Sequence, residues 1–185
     1  SSLSLSGTVG PFAGVTEFEG RASVSLAVSE VLPAAPFMAG AEGRLDAVVS
    51  VAGQAGGLAY EAAVTSAGLR TRELGKTDLA IDARGDADSV TVSRIDLRTE
   101  AGAIDGSFKA DLEGRSVSGA ELEWSGLDPD RILPLIPLPA RPPVALGSLA
   151  AGRLSGRAES LSLAGFEGSV SLTLTPQPLP AAAAG

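Results

Sequence analysis

The sequence predicts an all-β protein, built as a long, curled, mostly antiparallel sheet with an open groove. Three observations predict this fold: apolar and polar residues alternate over most of the chain, glycines recur mostly 7 to 21 residues apart, and helix signals are scarce. Alternation places successive side chains on opposite faces of a strand, and antiparallel sheets commonly keep one face in water. Glycine supplies the positive φ that tight turns need. The pattern predicts about eleven or twelve strands.

The strands follow from segments in which Val, Leu, Ile or Ala interleaves with Ser, Thr or a charged residue. These segments are residues 23–29, 44–51, 78–82, 90–97, 104–112, 121–124 and 169–174. In the fourth of them the alternation changes parity between Val92 and Ile95. We predict a β-bulge at Arg94, because one extra residue changes the parity without ending the strand.

One short helical turn is predicted near residues 128–136. Asp128 is a good N-cap, and Pro129 fits the first helical position, where its missing N–H costs nothing. Pro134 and Pro137 end the turn, and the chain up to Pro143 is expected to be an extended or polyproline II connector.

The chain is predicted to hold one repetitive β domain over residues 1–176 and a disordered Pro/Ala tail over residues 177–185. Short segments recur: Phe18-Glu-Gly20 returns as Phe166-Glu-Gly168. The spacings between recurring segments differ, so the repetition is irregular. The chain starts without Met and carries no signal-peptide pattern, so we expect an excerpt of a longer protein.

Composition excludes several function classes. The 185 residues include no His, no Cys and no Asn, which removes Ser-His-Asp and Cys-His triads and zinc sites built on imidazole or thiolate. A net charge of −8 argues against nucleic acid as a partner. Paired carboxylates such as Glu121 and Glu123 have the i, i+2 spacing of a solvated strand face. We therefore expect no enzyme activity, no catalytic residues, no metal site and no cofactor.

A longer succession of strands and turns carries a family resemblance. Its parts are residues 79–85, 90–97, 99–108, 122–128, 131–135 and 147–156. This succession resembles the repeating β region of the AsmA-like/TamB superfamily of long bacterial envelope proteins, over about residues 41 to 175. The resemblance implies a curled sheet with an apolar concave face, open along one side. It also implies a periplasmic location, an inner-membrane anchor, and lipid transport or outer-membrane assembly, with an outer-membrane barrel protein bound through segments outside this sequence.

A trough for acyl chains needs aliphatic walls and no directed hydrogen bonds, and an alternating sheet supplies such walls. We predict that lipid acyl chains are the partners of one continuous apolar face. The predicted groove-lining residues are Val24, Leu26, Leu45, Val49, Leu79, Ile81, Ile95, Leu97, Ile104, Phe108, Leu122, Trp124, Leu172 and Leu174.

A structural function remains the alternative. The same alternation fits a closed β-sandwich or solenoid segment of a surface protein, an adhesin or a filament, because either needs one apolar face. An open groove and a sealed core differ only in whether that face is covered. The Pro-rich stretch at residues 129–143 favours the groove, as a rim or flap that would block strand pairing at an edge.

Overall fold

The computed structural model describes residues 2–10, 18–28, 41–54, 57–71, 74–133, 146–159 and 165–177. Over these ranges the protein is all-β, as predicted, with one four-residue helix, α1 (Pro129–Ile132). The ten strands are β1 (Ser2–Val9), β2 (Phe18–Ala27), β3 (Glu42–Gln54), β4 (Gly57–Thr71), β5 (Gly75–Asp86), β6 (Ser89–Thr99), β7 (Gly102–Asp111), β8 (Ser116–Leu127), β9 (Ser148–Ala158) and β10 (Phe166–Pro176).

All ten strands belong to one sheet, in which the spatial order equals the chain order and every pairing is antiparallel. β1 and β10 are the two edges, and the sheet is not closed into a barrel. Strand contacts run almost entirely between neighbours in this order. At about 4.8 Å between strands, the sheet is roughly 43 Å across. The described strands therefore form a single layer, without a second sheet packed on them.

The two faces of the sheet differ in chemistry because directly paired residues point to the same side. One register row runs Val24–Ala47–Val64–Ile81–Ile95 across five strands. We call this side the apolar face. The pairings continue it from β6 through β7 to β10 in one direction and from β2 to β1 in the other. The other side, called the polar face, carries Ser, Thr, Asp, Glu, Arg and Lys, with a few Val and Ala.

The predicted bulge in β6 is confirmed. Asp82 pairs with Arg94, but Ala83 pairs with Val92, so one residue of β6 is left over between them. The register toward β7 shifts at the same place, between Val92 and Ile95. As a result, the residues on both sides of the bulge keep their apolar side chains on the apolar face.

The described strands number ten, where the sequence predicted eleven or twelve. Gly68 and Gly126 have positive φ, at 63° and 60°, but they produce register shifts within β4 and β8 rather than turns. A bulge and a tight turn both use the left-handed backbone conformation that glycine adopts easily. Strands such as β4, with 15 residues, consequently continue through these glycines.

The bulges create an internal structural repeat. Gly43 lies at the start of β3 and Gly102 at the start of β7, with φ of 116° and 122°. A Cβ on Gly43 would lie 2.6 Å from the Cα of Leu69, and a Cβ on Gly102 would lie 2.6 Å from the Cα of Leu127. Each glycine thus lets the backbone of the bulged neighbouring strand come close, in β3–β4 and again in β7–β8.

The short helix matches its predicted cap. The carboxylate of Asp128 accepts a hydrogen bond from the Asp130 N–H at 3.0 Å, and Pro129 is the first helical residue. The Asp130 carboxylate accepts from the N–H groups of Leu146 (2.8 Å) and Gly147 (3.0 Å). These two backbone bonds hold the pKa of Asp130 below its ordinary value. The predicted connector from residue 134 onward, most of the predicted rim and the predicted tail from residue 178 lie outside the described residues.

Burial in the sheet is sparse. Among the described residues, the buried hydrophobic ones are Val28, Ala41, Leu69, Val92, Ala101, Ala110 and Ala150. Four of these seven are alanines, so they bury little apolar area each. Val28, Ala41 and Leu69 form a small cluster with Leu45 at one end of β3 and β4. The larger apolar side chains remain partly exposed on the apolar face.

Candidate functional site

The strand register places all fourteen predicted groove-lining residues on the apolar face. Leu26 pairs with Leu45, Leu79 with Leu97, and Leu97 with Ile104. Ile104 pairs with Trp124, which in turn pairs with Gly152, the partner of Leu172. Twelve of the fourteen are half-buried, and Leu172 and Leu174 are 60% and 49% exposed. Their contact with lipid stays a prediction.

Aromatic rings on this face lie across glycines of adjacent strands. A Cβ on Gly152 would be 2.6 Å from Cζ2 of Trp124, its cross-strand partner. Tyr60 covers its partner Gly85 in the same way, at 2.8 Å from Cζ. The Phe18 ring occupies the space beside its partner Gly53. Because a glycine leaves open space beside the ring, each ring gains lateral contact without a second layer above it.

Phe166 shows the same arrangement at the far edge. Its ring lies where a Cβ on Gly156 or Gly168 would be, at 2.6 and 2.7 Å from Cζ. Phe18 and Phe166 are the aromatic residues of the recurring Phe-Glu-Gly segment, and each begins its strand. Because these rings lie flat on the sheet, they project little above the apolar face. The face is therefore shallow across the sheet and continuous from strand to strand.

The apolar face includes residues that sequence reasoning did not select. They include Leu3, Leu5, Phe18, Leu58, Tyr60, Val64, Leu154, Phe166 and Val170. The alternation Ser-Leu-Ser-Leu in β1 was a usable signal for the first two. In β4 the alternation is diluted by Ala59, Ala62 and Ala63, and only the pairing with β3 and β5 assigns Tyr60 and Val64 to this face.

The polar face is tied together by exposed ion pairs. Arg98 donates to Asp96 at 2.8 Å on its own strand and to Asp105 at 2.8 Å on β7, while Arg94 donates to Asp96 at 2.9 Å. The two guanidinium groups lower the pKa of Asp96, and the hydrogen bond to Asp96 raises the pKa of Arg94. Such exposed pairs add little stability individually, and they mark this face as the hydrated one.

Three hollows open on the polar face near one edge. The largest, about 600 Å³, has Arg21, Ser50, Glu61 and Ala59 among its walls and lies over β1 to β4. Two smaller ones of about 320 and 300 Å³ continue over β3 to β6, bounded by Glu61 and Arg84. Their charged side chains Arg21, Glu61 and Arg84 are exposed, and the hollows are open to solvent. Val51 and Tyr60 of the apolar face also border the largest of the three.

Among the described residues, no group of three or more His, Cys, Asp or Glu side chains is arranged to hold a metal ion. Within the same ranges, no helix is both long and apolar enough to cross a membrane. The carboxylate with the lowered pKa in the β5–β6 turn, Asp86, accepts from the backbone N–H groups of Asp88 (2.9 Å) and Ser89 (2.7 Å). That arrangement stabilises a turn.

No protein-family model matches this chain, and no curated protein and no solved structure matches it. The resemblance to the AsmA-like/TamB superfamily accordingly stays a prediction from the pattern of strands and turns.

Proposed function

We propose that the protein binds lipid acyl chains on the apolar face of its sheet, as a non-enzymatic segment of a bacterial envelope protein. The observation that carries the proposal is a single-layer sheet whose ten strands all present apolar side chains to the same side. Large aliphatic side chains on this face remain well exposed, including Leu5 (74%) and Leu172 (60%). An apolar surface of this extent that no second layer of the described strands covers is unusual for a soluble protein and typical of an interaction site.

Acyl chains suit this face better than a polar ligand does. The face offers aliphatic and aromatic carbon, while the charged groups stand on the opposite side. Each methylene that leaves water gains about 0.8 kcal/mol, and one position along the face resembles the next. A chain is thus held strongly against escape to water and weakly against sliding. The family resemblance adds the periplasm as the location and phospholipid transport or outer-membrane assembly as the process.

Trp124 gives a direct test, because it is the only tryptophan and lies on the apolar face. After delipidation, the protein is mixed with phosphatidylcholine whose acyl chains carry bromine, which quenches tryptophan at short range. We expect strong quenching with brominated lipid and none with the unbrominated lipid. In the matched control, Trp124→Phe combined with Glu123→Trp, the reporter moves to the polar face of the same strand. Equal quenching in the two proteins would contradict the proposal.

A second test separates an open face from a sealed core. Leu122→Arg places a charge on the apolar face, and Glu123→Arg places the same charge on the polar face one residue away. The lipid that co-purifies with each protein is recovered by organic extraction and measured by mass spectrometry. Its amount should fall at least tenfold in the first variant and stay unchanged in the second. Circular dichroism should show both folded. Unfolding of Leu122→Arg alone would favour the structural alternative with a closed core.

A further inference from the structure

The middle of the apolar face carries no charge. Four successive register rows cross the sheet at Leu79, Ile81, Ala83 and Gly85 of β5, and none of their residues is Asp, Glu, Lys or Arg. The ion pairs of the described strands lie on the polar face. Two copies of the chain, each with a net charge of −8, can therefore bring these rows together without setting like charges against one another.

The face is wide enough to hold a second copy of the chain. At about 4.8 Å between strands and about 3.3 Å per residue, ten strands crossed by four rows cover about 45 by 20 Å, or roughly 1,000 Å². Two such faces together remove roughly 2,000 Å² from water, the area at which obligate homodimers begin. The aromatic rings lie flat against glycines, so a second sheet can approach to the usual distance of about 10 Å.

The two middle rows of this face differ in side-chain size strand by strand. On β5 they contain Ile81 and Ala83. On every described strand except β1 and β6, one of the two residues is Val, Leu, Ile or Phe and the other is Ala or Gly. The small residue lies in the row of Ile81 on β3 and β7 and in the row of Ala83 on the other strands. Each of these strands thus carries its own pair of one large and one small side chain.

A two-fold axis that runs across the strands brings each large side chain onto a small one. Such an axis lies between the two rows, beneath Asp82, and turns each strand onto its own copy with its direction reversed. The row of Ile81 then faces the row of Ala83, whereas an axis parallel to the strands would set the row of Ile81 against itself. Because each strand meets its own copy, the match does not depend on the number of strands. We propose that, when no lipid is bound, two copies of the protein pack apolar face to apolar face about this axis.

This dimer goes beyond the proposed lipid binding and competes with it. The interface is isologous, since the same surface of both copies forms it, and it closes at two copies. A second copy and an acyl chain cover the same side chains, so binding of one excludes the other. Only this competition rests on the proposed function; the packing of the two faces does not.

Substitutions on β5 test the contact in delipidated protein by sedimentation. Ala83→Ile sets two large side chains against each other and should weaken the dimer at least about tenfold, because the added carbon atoms overpack the interface. Ala80→Ile makes the same change on the polar face and should leave the dimer unchanged. Exchanging the pair, as Ile81→Ala with Ala83→Ile, again sets a large side chain opposite a small one and should recover most of the affinity. Circular dichroism should show every variant folded.

Three results of the sedimentation experiment would overturn the proposal. They are a delipidated chain that stays monomeric at every concentration, species larger than a dimer, and a dimer that Ala83→Ile leaves unchanged.

Spin labels on the polar face measure the direction of the axis, since the chain has no cysteine of its own. The side chains of Asp78 and Asp82 are 56% and 48% exposed on β5, so a label at either position stays out of the interface. In the proposed dimer the two copies of Asp82 lie nearly opposite each other, whereas the two copies of Asp78 lie about 26 Å apart along the strand direction. We expect electron–electron resonance to give a much longer distance for Asp78→Cys than for Asp82→Cys. Equal distances would indicate an axis parallel to the strands and would overturn the proposed packing.

Lipid provides a final measurement that keeps the two proposals apart. Lysophosphatidylcholine, added below its micelle concentration, should convert the dimer to monomers. A dimer that persists while brominated lipid quenches Trp124 would overturn the competition. A dimer that responds to the β5 substitutions as expected, in a protein that brominated lipid does not quench, would support the packing and contradict lipid binding alone.

Discussion

The indole ring of Trp124 lies across Gly152, its direct partner on the adjacent strand β9. A Cβ at Gly152 would approach Cζ2 of the ring to 2.6 Å and would also meet the carbonyl oxygen of Ser171 on β10. The pair shows how a single-layer sheet accommodates a large side chain. The ring lies down on a neighbouring strand because no opposing layer among the described strands covers it.

This pairing predicts the effect of filling the glycine. Gly152→Ala should destabilise the fold by about 1–3 kcal/mol, because the added methyl group must displace the ring and the neighbouring strand. Urea unfolding followed by the fluorescence of Trp124 measures the change. Gly20→Ala is the matched control: it lies on the same face of β2 and has open space within 4 Å. A loss of stability in the control as large as in Gly152→Ala would contradict the explanation.

Gly102 is expected to tolerate no side chain. Its φ of 122° is accessible to glycine almost alone, and a Cβ would lie 2.6 Å from the carbonyl oxygen of Gly126. Gly102→Ala should lower the free energy of unfolding by about 1–3 kcal/mol, because alanine rarely adopts this backbone conformation. Gly126→Asn, at φ of 60° with open space around it, should cost less than about 1 kcal/mol, since Asn adopts that region. Chemical denaturation compares the two, and equal losses would argue against the close strand approach.

The bulge in β6 predicts different effects for two one-residue deletions. Deleting Ser93 removes the extra residue: Arg94 can still oppose Asp82, and Val92 and Ile95 both stay on the apolar face. We expect this variant to keep a cooperative unfolding transition. Deleting Thr91 instead turns Val90 or Val92 to the polar face, because side chains alternate along a strand, and should cost at least about 1.5 kcal/mol more. Urea unfolding compares the two variants, and equal losses would show that the face of these valines does not matter.

Asp130 predicts a pH dependence of stability. Its folded pKa lies below the ordinary value of 3.8, so the stabilisation is fully present above pH 3.8 and is lost as pH falls through the folded pKa. Asp130→Ala should therefore lower the thermal midpoint near neutral pH. The difference between this variant and the unmodified protein should shrink as pH falls below 3.8 and through the folded pKa. A difference that stays constant over this range would show that the carboxylate charge plays no part.

Local sequence patterns predicted the elements with strong alternation and clear caps. The segment around Val24 and Leu26 is a strand, the bulge falls at Ser93 and Arg94, and Asp128 caps a helical turn. These features depend on residues close in sequence, whose side-chain period and cap chemistry are local. The same patterns did not separate a turn from a bulge at a glycine such as Gly68, because both use the left-handed backbone conformation.

The apolar face, too, could be predicted only in part from the sequence. Alternation alone groups Leu122 with Trp124, because residues two apart on a strand share a face. It does not join that group to Ile104 or to Leu154, since those partners are set by turn lengths and bulges across the sheet. Alanine-rich β4 is assigned to the face through its neighbours. Leu3 and Leu5 join the face through the pairing of β1 with β2.

The sequence by itself determined that this is an all-β protein with one apolar and one polar side to its strands, and that imidazole and thiolate chemistry is absent. The tertiary structure decided how the ten described strands join into one layer and which aromatic ring lies on which glycine. The physical reason is that side-chain periodicity is a property of a single strand. Pairing, register and layer number arise from contacts between residues far apart in the chain.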